Sequence, residues 1–596
     1  MCGIIGYWGE SPIEKRIFNA MRDTMVHRGP DGEGSTFLEH DTVALGHRRL
    51  AFMDLSEKGK QPFVNENGSV FLTCNGEIYN YRSLRHELEQ KGHTFISGSD
   101  NEVILHGYEE WGTAVLQRLH GMFAFGIYDN HKKQLFLARD RFGIKPLYVG
   151  EAKNSFLFAS EIKGILKYPG FNPEFNWAAL ARFLQYRFVP SPGSAWKNVL
   201  KIPPAHFLLY RLNGDVEFEK YWELPEYEDC NVGFNQKDFE EEVKSRLEES
   251  VKSHLMADVP VGLFLSGGYD SSTLALMMAK VQPETEAFTI GFEGWEKSEH
   301  HAAQSVAKSL GIKCNELMIR DEGVDLLESL MYHYDEPIAD ISIIPTRQVS
   351  RFAAGKVKAV LSGEGSDEIF AGYDWYKPDF FKPIGIRGYL KRQKTDFSVN
   401  AYSYAMSNGK FNIGSLTQLF EPEYHRFIYK AENLFYDDNF KSSLPPIKRF
   451  QQLDIKSFMG ELVLTKVDRA SMASSLEVRV PFLDHTFIEF MFRKPVQAYF
   501  SKDKHKPLLR KILHGNIPDA VLNRKKQGFV GPDSFYGQMD WYRRVFADSA
   551  LLKDKIIRRE AIDAMINNNE QWRLWKLAVL EKWYSFWKGE CVKPIA

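Results

Sequence analysis

Two stretches of this sequence carry side chains suited to covalent and phosphate chemistry. The first is "MCGIIG", where removal of Met1 gives Cys2 both a thiol and a free α-amine. A cysteine in that place is equally an ordinary small residue opening a strand. The second is "VGLFLSGGYDSS", an apolar run from Val261 to Leu265 followed by a tight turn through Ser266, Gly267 and Gly268. A helix then begins with Ser271, Ser272 and Thr273, so main-chain amides and a helix terminus face an anion. The spacing is neither GxGxxG nor GxxxxGK[ST], which excludes a dinucleotide or Walker A reading. Asp270, and Asp367 in "SGEGSDE", can hold Mg2+ against phosphate oxygens. Lys506 and Arg510 in "SKDKHKPLLRKIL" can neutralise phosphate charge. Each has a plainer alternative: a turn without ligand, a solvated loop around Glu364, Asp367 and Glu368, cations coating a helix.

The elements that must position these groups fall into two blocks. The first has many short strand candidates, among them "CGIIGYW", "SVFLTCNGEIYN", "MFAFGIYD" and "SFLFAS", interrupted by helical stretches around Ser83 to Lys91 and Asn101 to Trp111. That pattern predicts a strand-rich α+β domain over residues 2–200. Pro and Gly punctuators in "FVPSPGSAWKNVLKIPPAH", then "YWELPEYEDC", predict a linker over 201–235. A charged amphipathic helix, "NQKDFEEEVKSRLEESVKSHL", leads into strand and turn units at "VGLFLSGG", "EAFTIGF" and "VKAVLSGEGSDE". They predict an α/β domain over 236–540 with its chemistry at the carboxyl ends of parallel strands, and a helical extension over 541–596.

A chain of 596 residues exceeds what one hydrophobic core serves, so at least two domains are expected. A formal charge of -2 supplies no general field for nucleic acid, and no apolar span is long enough for a bilayer. Cys2, Cys74, Cys230, Cys314 and Cys591 form no CxxC pair, which fits a reduced cytoplasmic setting better than a disulfide or zinc framework. No signal-peptide pattern opens the sequence. His27, His47, His300 and His301 show no metal-ligand spacing.

Taken together, "MCGIIG", "HRGPDGEG", "GHRRLAFMD", "NGEIYN", "GSDNEVIL" and "RDRFGIKPLY" in the first half, with "SGGYDSS", "DEPIAD", "SGEGSDEIFAGY", "LEVRVPFLD" and "KPLLR" in the second, resemble the glutamine-dependent asparagine synthetases. The resemblance spans nearly the whole chain. It implies a class II glutamine amidotransferase with an N-terminal nucleophile fold, layered αββα, joined to an ATP-pyrophosphatase-type synthetase. It implies that Cys2 attacks the glutamine amide, that Asn75 and Gly76 stabilise the oxyanion, and that Arg49, Glu77 and Asp100, with Asn75, bind glutamine. It places ATP against Leu265, Ser266, Gly267, Gly268, Asp270, Ser271, Ser272, Ile290, Ser362 and Gly363, with Mg2+ at Asp270 and Asp367. Lys506 matches a catalytic lysine near the phosphates, and Glu364 a residue handling the proton on incoming ammonia. Implied substrates are glutamine, aspartate and ATP, and a homodimer is a family-based expectation.

Two features depart from the family pattern. Tyr269 stands where many relatives have leucine, and "WEKSEHHAA" follows "FTIGFEG" where an acidic stretch is common. They leave open a related amidotransferase acting on a sugar-acid or specialised-metabolite carboxylate. The aromatic terminal segment "QWRLWKLAVLEKWYSFWKG" either covers a core or joins another subunit.

Overall fold

The computed structural model describes residues 2–591 except 212–213, 228–233, 321–322, 325, 378–396, 429–433, 533–535 and 537. Met1 and Cys230 therefore lie outside the described residues. The first half is built on two six-stranded sheets. One runs in the order Val199–Lys201, Tyr148–Ala152, Ser155–Ala159, Gly3–Gly9, Val43–Arg49, Gly32–Leu38. The other runs Val216–Lys220, His206–Arg211, Gln134–Arg139, Gly121–Asp129, Val70–Ile78, Phe63–Val64.

Alternation along the strands explains the layering. In Gly121–Asp129, Phe123, Phe125 and Ile127 turn to the helices, where Leu84, Leu88, Ile104 and Tyr108 wait. Ala124 and Tyr128 turn the other way, meeting Ile4, Trp8 and Phe158 from the first sheet. Helix Lys15–Asp23 covers the outer face of that first sheet, completing the expected αββα order. The expected boundary near residue 200 is corrected here, because strands at His206–Arg211 and Val216–Lys220 belong to the second sheet. Pro203 and Pro204 end one strand rather than a domain, and "HFLLYR" alternates as the next.

The second half carries a wholly parallel sheet in the order Lys313–Ile319, Glu286–Phe292, Val261–Phe264, Ala359–Leu361, Glu477–Arg479. Its central strands read as short unbroken apolar runs because helices such as Tyr269–Val281 and Ile343–Ala354 cover both faces. Helix Gln236–His254 leads into this half, its start fixed by the Asn235 side chain accepting from Lys237 N at 2.9 Å. The later part is helical, including a π-helical stretch, Asp454–Val463, that continues directly into helix Leu464–Met472. The terminal helix Gln571–Cys591 covers this chain's own core: Trp575 and Trp583 are buried, and Lys576 Nζ donates to Leu184 O at 2.9 Å. Cys2, Cys74, Cys314 and Cys591 are free thiols. Among the described residues no helix is long and apolar enough to cross a membrane.

Candidate active sites

Cys2 stands just ahead of strand Gly3–Gly9, and the neighbouring sheet brings strand Val70–Ile78 across from it. Cys2, Arg49, Gly76, Glu77 and Asp100 line one small pocket. Asn75 lies behind its wall, where Oδ1 accepts from Cys2 N at 2.9 Å. Its other amide atom, Nδ2, is buried with no hydrogen-bond partner among the described residues. A buried orphan donor beside a thiol is unfavourable unless a ligand oxygen meets it, which suits an oxyanion site. Burial pushes the Cys2 thiol up, while a main-chain contact at Leu50 opposes this.

Glu77 and Asp100 form a pair short of positive charge. Burial first, then Asp100, raises the Glu77 carboxyl well above the usual range, although Arg479 Nη2 lies 3.1 Å from Glu77 Oε2. Burial raises Asp100 to about 6, against the hydrogen bond donated by Ile78 N at 2.6 Å. A substrate ammonium would supply the missing cation. Because only the ionised pair attracts an ammonium, and both carboxyls are raised, kcat/KM for glutamine hydrolysis is expected to fall with decreasing pH well before the ordinary carboxylate range is reached. Initial rates of glutamate release against pH check this, and Asp100→Asn should remove or shift that fall. Arg49 lines the pocket, yet its Nη1 donates to Ser56 O at 2.9 Å and Nη2 to Met53 O at 3.2 Å and to Asp54 O. In this conformation its fork holds the 53–56 loop.

The second site is a cavity of about 380 Å3 at the carboxyl ends of the parallel strands. Leu265, Ser266, Gly267, Gly268, Asp270 and Ser271 form one wall, Ile290 another, and Ser362, Gly363, Glu364 and Asp367 a third. Ser272 lies outside this lining, one position further into the helix and fully buried. Gly267 holds φ +76°, and a Cβ there would come within 2.7 Å of Ala302, so the loop admits no side chain at that point.

Lys506 joins the two acidic turns: Nζ lies 2.5 Å from Asp270 Oδ1 and 2.7 Å from Asp367 Oδ1. Its own backbone is left-handed, φ +39°, at the start of helix Pro507–Leu513, a conformation disfavoured for lysine and held by its surroundings. Lys506, with Lys526 as a second partner, holds the Asp367 carboxyl well below the usual range despite burial. These two aspartates offer hard carboxylate oxygens to one cavity, the donor type Mg2+ takes. Gly372 is packed against this group, with a Cβ placed there 2.0 Å from Asp367 Oδ1 and 2.3 Å from Lys506 Cε. Gly372→Ala is expected to displace both and lower ATP-dependent turnover about tenfold or more, leaving glutamine hydrolysis unchanged, as separate assays of each half-reaction would show.

Several functional candidates escape sequence reasoning. Lys466 Nζ lies 3.6 Å from Glu364 Oε1 and donates to Ser342 Oγ at 2.9 Å. Burial pushes the Glu364 carboxyl up and Lys466 opposes that rise. Glu299, in the "WEKSEHHAA" segment, also lines the cavity, and burial raises it to about 8. The only cue for such residues is a charge inside an apolar stretch, as with Arg479 in "LEVRVPFLD", which is completely buried. Tyr269 borders the cavity, but its hydroxyl donates to Leu522 O and accepts from Arg510 Nη1 at 3.1 Å. That hydroxyl is engaged in packing the loop against a neighbouring turn.

One helix, Leu464–Met472, lines the nucleotide cavity and is linked through Arg28 to Cys2. Arg28 Nε donates to Cys2 O at 3.0 Å, while its Nη1 and Nη2 donate to Asp468 at 2.8 and 2.9 Å. Two residues before Asp468 on that helix, Lys466 faces Glu364.

A thiol pocket on a two-sheet domain, joined to a phosphate-type loop at the ends of a parallel sheet, defines a glutamine-hydrolysing, ATP-dependent ligase. Comparison with known proteins agrees, the asparagine synthase description matching residues 242–585 and the glutamine amidotransferase domain residues 1–222. Asparagine synthetase (glutamine-hydrolyzing) 1 of Bacillus subtilis (strain 168) is 33% identical over 98% of this chain and 96% of its own. Asparagine synthetase (glutamine-hydrolyzing) 3 of the same organism is 31% identical, covering 95% and 93%. Amidase chry2 of Gibberella zeae is 30% identical, covering 90% of each chain. The chain belongs to the asparagine synthase family.

Proposed function

We propose that this enzyme makes asparagine from aspartate, ATP and glutamine, with Cys2 generating the ammonia and the parallel-sheet cavity activating the acceptor. The observation that carries this reading is the helix Leu464–Met472, which ties the Cys2 main chain, through Arg28 and Asp468, to Lys466 and Glu364 in the nucleotide cavity.

At the first site, the Cys2 thiol loses its proton to the freed α-amine and attacks the glutamine amide carbon. Asn75 Nδ2 and the Gly76 N–H receive the developing oxyanion, and Glu77 and Asp100 hold the substrate ammonium. Arg49 meets the substrate carboxylate once its fork leaves the 53–56 carbonyls. Collapse releases ammonia and leaves a thioester that water opens to glutamate.

At the second site, the Ser266–Ser271 turn cradles the phosphates of ATP, with Leu265, Ile290, Ser362 and Gly363 shaping the rest of the nucleotide wall. The aspartate carboxylate attacks the α-phosphorus, and pyrophosphate leaves as Lys506 balances its charge. Mg2+ held by Asp270 and Asp367 would add charge neutralisation at the same leaving group. Ammonia, delivered through an enclosed route between the halves, attacks the aspartyl carbonyl while Glu364 takes its proton, and AMP departs. Four free thiols among the described residues accord with a reduced cytoplasmic setting.

Purified enzyme with ATP, Mg2+, glutamine and aspartate is expected to yield asparagine, glutamate, AMP and pyrophosphate in equal amounts. Pyrophosphate release that ignores aspartate, yet responds to a sugar acid or another carboxylate in a parallel panel, would reassign the acceptor.

A further inference from the structure

On the outer side of the first domain, far in sequence from both nucleotide turns, two imidazoles and two carboxylates converge. Glu66 lies in the turn between strands Phe63–Val64 and Val70–Ile78, His93 follows helix Tyr81–Gln90, and His106 and Glu109 sit one turn apart on helix Glu102–Trp111. One ligand atom from each lies within 4.8 Å of all the others. His106 Nδ1 is 3.1 Å from Glu109 Oε2 and 3.8 Å from Glu66 Oε2, and His93 Nδ1 is 3.8 Å from Glu109 Oε2. A tetrahedron with Zn–N and Zn–O bonds near 2.1 Å has edges of about 3.4 Å, so these three pairs need a shift of a few tenths of an ångström, and the remaining pairs, all within 4.8 Å, close to ligand spacing by side-chain rotation.

The surroundings aim each group inward. His106 Nε2, buried and without a hydrogen bond, faces Glu102 Oε1 at 3.6 Å, and Glu102 is itself pinned by Ile96 N and Ser97 N at 2.8 Å each. His93 Nε2 faces Glu110 Oε2 at 3.6 Å. The other Glu66 oxygen accepts from Thr94 N at 2.6 Å, and the other Glu109 oxygen from Asn65 Nδ2 at 2.5 Å. Outer carboxylates behind ligand histidines, and hydrogen bonds on the spare oxygens of ligand carboxylates, are the arrangement that orients metal ligands. Two carboxylates neutralise a dication, and a set of two nitrogens and two oxygens suits zinc rather than magnesium.

We propose that Glu66, His93, His106 and Glu109 form a structural site for a divalent transition metal of the zinc class. The four protein ligands close the coordination sphere, fastening helix Glu102–Trp111, whose start follows Asp100, to the two loops beside it.

The test uses the full chain, treated with chelator and titrated with Zn2+ in excess Mg2+. One equivalent of zinc is expected to survive dialysis and raise the thermal midpoint, and Co2+ in its place should show the visible absorption of a four-coordinate N/O site. Glu66→Gln and His93→Ala, both on the solvent side of the cluster, should each weaken zinc binding at least about tenfold while the chain stays folded. His120→Ala, which alters the separate His120, Asp484 and His485 group, should leave it unchanged. Failure of the folded chain to retain zinc, retention equal in both cluster variants, or loss confined to His120→Ala would each overturn the assignment.

Discussion

Cys2→Ala is expected to abolish asparagine formation from glutamine, by at least about 10^3-fold, while synthesis from added ammonium salts continues near its original rate. The split follows from separation of the two sites. No residue lining the thiol pocket also lines the nucleotide cavity, and it is the Cys2 main chain that leads toward the second site, through Arg28 and Asp468. An alanine keeps that main-chain carbonyl in place, so the Arg28 contact survives. The substitution removes only a sulfur whose own hydrogen-bonding contact, Leu50 O at 4.0 Å, is weak. Parallel assays with glutamine and with ammonium, read as asparagine and pyrophosphate, check the result. Loss of both activities in a folded variant would show that the thiol also supports the synthetase half, against the division of labour proposed above. Asn75→Ala should follow the same pattern with a smaller loss, about 10^2-fold, because it removes one proposed oxyanion donor and the Oδ1 that holds Cys2 N but leaves the nucleophile.

Local patterns announced the parts of the fold that depend on local rules. Alternation marked the strands around Phe123 and Phe125, and the unbroken run from Val261 into Ser266 marked a buried parallel strand ending in a turn. The continuation of the second sheet to Lys220 was hidden because Pro203 and Pro204 punctuate the chain just before an ordinary strand. At the sites, motif order identified Cys2, Asp270, Asp367 and Lys506 as chemical groups, but their partners arise only from long-range contacts. Arg479 reaches Glu77 across about four hundred residues of chain, and Lys466 faces Glu364 from a helix whose buried face gives no sign of it. The same limit applies to His93 and His106, which are separated in sequence by a helix start and meet only when that helix packs beside its loop.

Lys506→Met is expected to lower adenylation about 10^2- to 10^3-fold with either nitrogen source, sparing glutamine hydrolysis at the distant thiol. The ammonium stays cationic because Asp270 and Asp367 outweigh its burial and raise it above the ordinary lysine range. Its loss leaves Asp270 without that cation, while Asp367 keeps Lys526. The variant should therefore be somewhat less stable than the parent as well as slower, since the half-buried Asp270 carboxylate has lost its cation and keeps only the Ser366 hydroxyl. Aspartate-dependent exchange of labelled pyrophosphate into ATP measures the chemical defect, and retained glutaminase activity reports that the chain is folded. Lys506→Arg is not expected to restore exchange: Gly372 packs so closely that even a Cβ there would stand 2.3 Å from Lys506 Cε, leaving no room for a guanidinium. Arginine matching lysine in this assay would mean that charge alone suffices, and that the left-handed backbone and close Gly372 contact serve packing rather than placement of the ammonium.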